Sequence, residues 1–184
     1  MLRLAAAVVA LLLVLALVPT LAAADEPDVR VEADGDPAAF FVDGFSLHVA
    51  VVGPWRRFDF GCYSVDEPGF LHGNDGWSVQ MRGYGVNWDY FLDASSYTGF
   101  FAGLGVNLIV RTYALDSAAM SVARHQIIVG PHFGWRFQLT QHFYVEPWLA
   151  IEYAYRGDDV TIAGQKFDDR PYALFPTLYA GWRF

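Results

Sequence analysis

From Leu174 to the last residue, apolar side chains occupy every second position: Leu174, Pro176, Leu178, Ala180, Trp182 and Phe184. Phe175, Thr177, Tyr179, Gly181 and Arg183 lie between them. Successive side chains of a β-strand point to opposite faces, so a period of two is the mark of a strand. The pattern predicts a strand with one oily and one mixed face, and the chain stops on an aromatic residue of the oily face.

The same alternation recurs upstream. Phe45, Leu47, Val49 and Val51 alternate with Ser46, His48, Ala50 and Val52. After a turn at Gly53-Pro54, Phe58, Phe60 and Cys62 alternate with Arg57, Asp59, Gly61 and Tyr63. Residues 99–113 put Phe100, Ala102, Leu104, Val106, Leu108 and Val110 on one face, with Phe101, Gly103, Gly105, Asn107 and Arg111 opposite. Residues 122–138 oppose Ile127, Val129, Pro131, Phe133, Trp135 and Phe137 to Arg124, Gln126, Gly130, His132, Gly134 and Arg136. Residues 144–155 set Val145, Pro147, Leu149, Ile151 and Tyr153 against Glu146, Trp148, Ala150 and Glu152. In the stretch 77–92 the polar face changes parity, from Ser78, Gln80 and Arg82 to Asn87 and Asp89. A β-bulge is expected at Gly83-Tyr84-Gly85, where that slip would fall.

The polar faces carry glycines and arginines opposite acids, which are the contents of a narrow lumen rather than of a solvated sheet face. Aromatics also sort by height. Trp55, Phe100, Trp135, Phe137, Phe143, Trp182 and Phe184 lie beside short turns, and Tyr113, Tyr153, Tyr155 and Tyr172 beside longer loops. Two such girdles are expected at the two interfaces of a membrane barrel. Short turns at 53–54, 93–98 and near Thr140 alternate with loops at 66–75, 114–121 and 156–170. The fold class expected is therefore all-β: an antiparallel up-and-down transmembrane β-barrel of about eight strands. Seven are evident, and the eighth is expected somewhere in 29–43. Pro131, Pro147 and Pro176 sit within strands, each removing a ladder donor, without an evident reason.

Arg3, the apolar run 4–17 and Ala22-Ala23-Ala24 predict a cleaved signal peptide over 1–24. Residues 25–37, acidic and holding Pro27, Gly35 and Pro37, read as a periplasmic lead-in, and the barrel is expected over 38–184. The lone Cys62 allows no internal disulfide, and a formal charge of −8 argues against nucleic acid as a partner.

The closing strand, with Trp182 and the terminal Phe184, resembles the assembly signal of Gram-negative outer-membrane barrels. Over 45–184 the chain resembles small outer-membrane barrels of the OmpA, OmpX and OmpW kind. The resemblance implies outer-membrane localisation, recognition by the barrel-assembly machinery, contact with outer-membrane lipid and lipopolysaccharide, and a monomer. It implies a structural or surface-interaction role without fixing one.

The candidate lumen network comprises Arg57, Asp59, Arg82, Arg111, Arg124, His132, Arg136, Glu146, Glu152 and Arg183, with His48 between them. Opposite charges facing each other would fill a small barrel, since buried charges must be paired. Placing cross-strand partners at a residue-number sum of 282 sets Arg136 opposite Glu146 and predicts an ion pair that plugs the lumen. No catalytic residue, cofactor or metal is expected. His48, His72, His125, His132 and His142 show no ligand spacing. A lipid A deacylase-like enzyme is the alternative, tested on His132 with Glu146. However, Gly134 stands where a serine would be needed, and Ser46-Leu47-His48 has the pair reversed. A narrow small-solute channel and a soluble lipocalin-like carrier are the other readings, the latter at odds with an interior full of arginines.

Overall fold

The protein is described by a computed structural model over residues 29–53, 55–93, 97–155 and 159–184. The expected signal peptide, and the part of the expected lead-in before Val29, lie outside these residues. Eight strands close into a ring: β1 (Arg30–Gly35), β2 (Phe45–Gly53), β3 (Arg56–Glu67), β4 (Trp77–Asp93), β5 (Thr98–Leu115), β6 (Met120–Gln138), β7 (Phe143–Tyr155) and β10 (Tyr172–Arg183). Two short strands, β8 (Thr161–Ile162) and β9 (Gln165–Lys166), form a separate hairpin between β7 and β10. Every neighbouring pair in the ring is antiparallel, so the chain is an up-and-down barrel closed on itself.

Its exterior is a band of exposed apolar side chains that includes Phe60, Val86, Leu104, Val106, Leu108, Val129, Ile151 and Leu178. Inward positions alternate with these. On β5 they are Phe101, Gly103, Gly105, Asn107, Ile109 and Arg111, and on β7 Tyr144, Glu146, Trp148, Ala150 and Glu152. An oily outside around a charged inside is the arrangement of a barrel in lipid.

The first strand corrects the domain boundary. β1 pairs with β10 from Glu32–Arg183 to Gly35–Ala180 and with β2 from Arg30–Val52 to Gly35–Leu47, so the barrel begins within the supposed lead-in. The acids that make this stretch look like a solvated tail, Glu32 and Asp34, are lumen residues, both buried. Beyond β1, Asp36 caps a 3-10 helix (Pro37–Val42), its carboxylate accepting from Ala38 N at 2.7 Å, and the chain enters β2.

β4 contains no bulge at Gly83-Tyr84-Gly85. Its register with β5 runs unbroken from Trp77–Leu115 to Phe91–Phe101, and the irregularity falls between Phe91 and Asp93. Odd-numbered residues face inward throughout. What changes is the surroundings: near the loop end the strand rises out of the lipid, so its outer face turns polar at Ser78, Gln80 and Arg82. Its inner face turns apolar there, and Trp77 and Val79 pack with Tyr113, Leu115, Val160, Ile162 and Phe167 in a buried cap over the barrel mouth. Tyr113, expected in the loop-end girdle, is wholly buried in that cap. Phe167 of the β9 side meets the Trp77 and Tyr113 rings edge-on, with centroids 5.3 and 4.8 Å away.

The prolines have a common explanation. Alternate backbone N–H groups of an antiparallel strand face opposite neighbours. Leu139 N donates to Phe143 O across the β6–β7 turn, and Ala154 N donates to Pro171 O on the β10 side. Odd residues of β6 and odd residues of β7 therefore face the seam between these two strands. Pro131 and Pro147 are both odd, and the β6–β7 ladder omits the rungs around them, while the rungs present keep the sum of 282. On β10, Arg183 N donates to His142 O and Phe184 N to Val31 O, so even residues face β1. Pro176 is even and lies beyond the last β1 partner, Ala180, where no ladder remains to be broken. Pro131 and Pro147 thus confine their missing donors to one seam, β6–β7, and Pro176 points to a place where β1 has ended.

Candidate functional site: the charged lumen

Toward the turn end, β1, β2, β3, β4, β6, β7 and β10 each send a charged or hydrogen-bonding side chain into the lumen, and β5 leaves them room with glycines. Arg57 on β3 is the centre. Its Nη1 donates to Asp89 Oδ2 at 3.0 Å, and its Nη2 donates to Asp59 Oδ2 at 3.0 Å and to Asp34 Oδ2. Its Nε lies 3.4 Å from Glu32 and Nη1 lies 3.6 Å from Glu146. Arg136 donates through Nε to Glu146 at 2.6 Å and through Nη1 to Glu32 at 2.9 Å. Its guanidinium lies over the Tyr144 ring, 4.0 Å from the centroid, and Tyr144 donates its hydroxyl to Asp34 at 2.8 Å. Arg183 donates to Glu32 at 2.9 Å. These groups are almost wholly removed from solvent, where an unpaired charge would cost several kcal/mol, which is why each is met by opposite charge.

Two histidines complete the cluster. His132 Nε2 lies 2.5 Å from Asp89 Oδ1. His48 Nδ1 lies 2.8 Å from Asp59 Oδ1 and its Nε2 lies 2.8 Å from Ser46 Oγ. Asn87 donates to Asp59 at 3.1 Å. The strands make room for the rings with inward glycines: a Cβ at Gly61 would run into the His48 ring, and one at Gly103 into His132 and Asp89. Between Arg57, Asn87, Asp89, Phe101, His132, Glu146, Trp148 and Tyr179 there remains about 150 Å³ of unfilled space, none of it wide enough for a water molecule.

A second, smaller cluster lies under the cap. Arg111 donates to Glu67 at 2.5 Å and to Asp169 at 2.9 Å, and its guanidinium stands 5.3 Å from the Tyr113 centroid. Gln126 donates to the Tyr113 hydroxyl at 3.1 Å. Beside it, the loop imidazole of His72 is buried against Phe167 and its Nδ1 accepts from Asn74 N at 3.1 Å. Burial holds the His72 pKa below its ordinary value.

Of the residues singled out in the sequence, Arg57, Asp59, His132, Arg136, Glu146 and Arg183 meet in the lower cluster, and Arg111 in the upper one. Glu152 faces inward from β7 and makes no hydrogen bond or ion pair among the described residues. Arg124 stands on the inward face beside Arg111 at the loop end, half-exposed, and among the described residues donates only to Ala123 O. Arg82 is not in the lumen. It is exposed on the outer face of β4, because the strand keeps its parity. His132 pairs with Asp89 and not with Glu146. Glu32, Asp34 and Asp89 are the partners that sequence reasoning misses, although period two in Val31-Glu32-Ala33-Asp34 is a signal that could have found the first two. Trp182 and Phe184 are exposed on the outer face at the turn end, and His142 stacks on Trp182 at 5.3 Å while donating from Nδ1 to Arg183 O at 2.9 Å.

The fold is that of a small antiparallel barrel protein of the outer-membrane type. A solved structure of a major outer membrane protein from Thermus thermophilus superposes with a TM-score of 0.50 at 14% identity, covering 85% of this chain and 98% of that one. Neisserial surface protein A (NspA) superposes with a TM-score of 0.47 at 15% identity, over 84% of this chain and 94% of that one. No protein-family model matches the sequence. No curated protein matches it either.

Proposed function

We propose that the protein is an integral outer-membrane barrel with a closed lumen, whose role is structural or surface-directed rather than conductive or enzymatic. The observation that carries this reading is the lower cluster: Arg57 and Arg136 reach across the lumen to carboxylates on distant strands, and the space left beside Arg57 and Glu146 is too narrow for a water molecule. The cap adds a second closure at the mouth. The exposed Trp55, Trp88, Trp135, Trp182 and Phe184 at the turn end, and Tyr153, Tyr155 and Tyr172 at the loop end, support two membrane interfaces. The terminal Phe184 supports delivery by the barrel-assembly machinery, and the apolar band supports direct contact with outer-membrane lipid and lipopolysaccharide as a monomer. The loop end, with acidic residues such as Asp116, Asp159 and Asp168, is the surface offered to other partners.

The enzyme alternative finds less support. Ser46, His48 and Asp59 form a hydrogen-bonded chain in the order of a nucleophile, a base and an orienting acid. The chain faces the lumen, away from lipid acyl groups, and Asp59 is already committed to Arg57. The test of the main reading is membrane fractionation with heat-modifiable mobility, followed by single-channel recording. Membrane residence with no stable conductance is expected. A steady ionic conductance would replace this reading with the narrow small-solute channel.

A further inference from the structure

We propose that the lumen cluster holds a divalent cation between Asp34, His48 and Asp59, taken up as the barrel closes. The three residues come from three adjacent strands, β1, β2 and β3, and offer ligand atoms that all lie within 4.8 Å of one another. All three are buried.

Three further observations point the same way. Asp34 Oδ1 is buried and has no hydrogen-bond partner, although its other oxygen takes bonds from Arg57 and Tyr144. A buried carboxylate oxygen left without a donor is costly, so Asp34 Oδ1 has room for one further positive or hydrogen-donating neighbour. Second, Arg57 uses only the Oδ2 atoms of Asp34 and Asp59, while Asp59 Oδ1 is turned to the His48 ring and accepts one further bond, from Asn87 Nδ2. Third, the other ring nitrogen, Nε2, meets Ser46 Oγ at 2.8 Å. A metal-bound histidine commonly fixes its free N–H in this way, on an oxygen behind the ring.

The charge of the lower cluster fits as well. Glu32, Asp34, Asp59, Asp89 and Glu146 are five carboxylates against the three guanidiniums of Arg57, Arg136 and Arg183, with the His48 and His132 rings, each on one of these acids, counted as neutral. The remainder of two negative charges is what a divalent ion would neutralise. The ion takes the place of the hydrogen between His48 Nδ1 and Asp59 Oδ1. A neutral ring then carries its one hydrogen on Nε2, donated to Ser46 Oγ, and a doubly protonated ring releases its other hydrogen to solvent. Two carboxylates and one imidazole suit a first-row ion that accepts oxygen and nitrogen together, such as Mn(II).

Full-length mature protein refolded in detergent with Mn(II), then desalted, tests this. About one Mn(II) per folded chain is expected, with an electron-spin-echo signal from a single imidazole nitrogen. Asp34→Asn and His48→Gln should each lower retention at least tenfold, while Asp116→Asn, on the exposed loop, should leave it unchanged. Retention unaffected by Asp34→Asn and His48→Gln, or no retained Mn(II) in folded wild type, would overturn the proposal. Should both variants fail to show heat-modifiable mobility, the wild-type spectrum decides: bound Mn(II) without a nitrogen coupling rejects the site.

Discussion

Arg57 and Arg136 share the same two carboxylates, Glu32 and Glu146. Two like charges are thereby held in one lumen cross-section by acids from β1 and β7, strands far apart in sequence that both flank β10 in the ring. Arg136→Met leaves Glu146 and Glu32 short of a donor, and Glu146→Gln leaves both arginines short of an acceptor. Each single change should cost about 3–5 kcal/mol, and the double change less than the sum. Equilibrium unfolding of the four proteins of this cycle in detergent or vesicles measures the coupling, and strict additivity would contradict the shared network.

The uninterrupted parity of β4 predicts opposite labelling of neighbours. In a Cys62→Ser background, Arg82→Cys should react with a membrane-impermeant thiol reagent applied to intact cells, whereas Val79→Cys, under the cap, should not. Replacing Arg82 by Gln should change stability by less than about 0.5 kcal/mol, as expected of an exposed side chain. Had a bulge turned Ser78, Gln80 and Arg82 inward, both results would reverse.

Leu104 stands in the outer apolar band of β5, 57% exposed. An arginine there should cost about 2–4 kcal/mol, the range for a lipid-facing position at the bilayer midplane. Ser78→Arg, on the outer face of β4 above the lipid, should cost almost nothing. Refolding into vesicles of defined lipid, followed by denaturant titration, separates the two. Equal losses would mean that the exposed apolar band does not face hydrocarbon.

The cap should loosen in acid. His72 is buried with its Nδ1 already accepting from Asn74 N, and burial depresses its pKa in the folded state. A base whose folded pKa lies below its unfolded value binds more protons when unfolded. The stability it permits is therefore present above the unfolded pKa, about 6.5, and declines as pH falls through that value toward the folded one. Proteolysis of the loop end at pH 7.5 and pH 5.5 should show faster cleavage at the lower pH, and His72→Phe should remove much of the difference. A difference that persists in His72→Phe would place its source outside the His72 ring and overturn this prediction.

Much of the barrel is legible because alternation is a local signal. β5, β6, β7 and β10 each declare an oily face, and the sum of 282 between β6 and β7 follows from pairing charges and filling space. The eighth strand is expected within 29–43 and β1 lies there, but its bounds are not legible because its inward residues are acids, and acids in a short stretch beside Pro37 look like solvated chain. Arg82 is misplaced by any reading in which polarity marks the inside, whereas polarity marks water or a partner charge. Once a strand passes the lipid surface, the two faces exchange roles without any change in the backbone. The Asp34–His48–Asp59 grouping has no spacing to betray it, since strand pairing rather than chain proximity brings β1 beside β2 and β3.

The prolines carry a consequence for how such a cylinder comes together. β7 and β10 are joined by a continuous ladder from Tyr153–Tyr172 to Phe143–Trp182. On one side this pair meets β6 across a ladder with rungs missing at Pro131 and Pro147, and on the other it meets β1 through only the pairs from Glu32–Arg183 to Gly35–Ala180. The C-terminal hairpin is thus continuous within itself, interrupted but extensive where it meets β6, and joined to β1 by only four pairs, like a door with a single light latch. The circle is therefore completed at its shortest seam, where the first and last strands of the ring meet and Phe184 N reaches Val31 O.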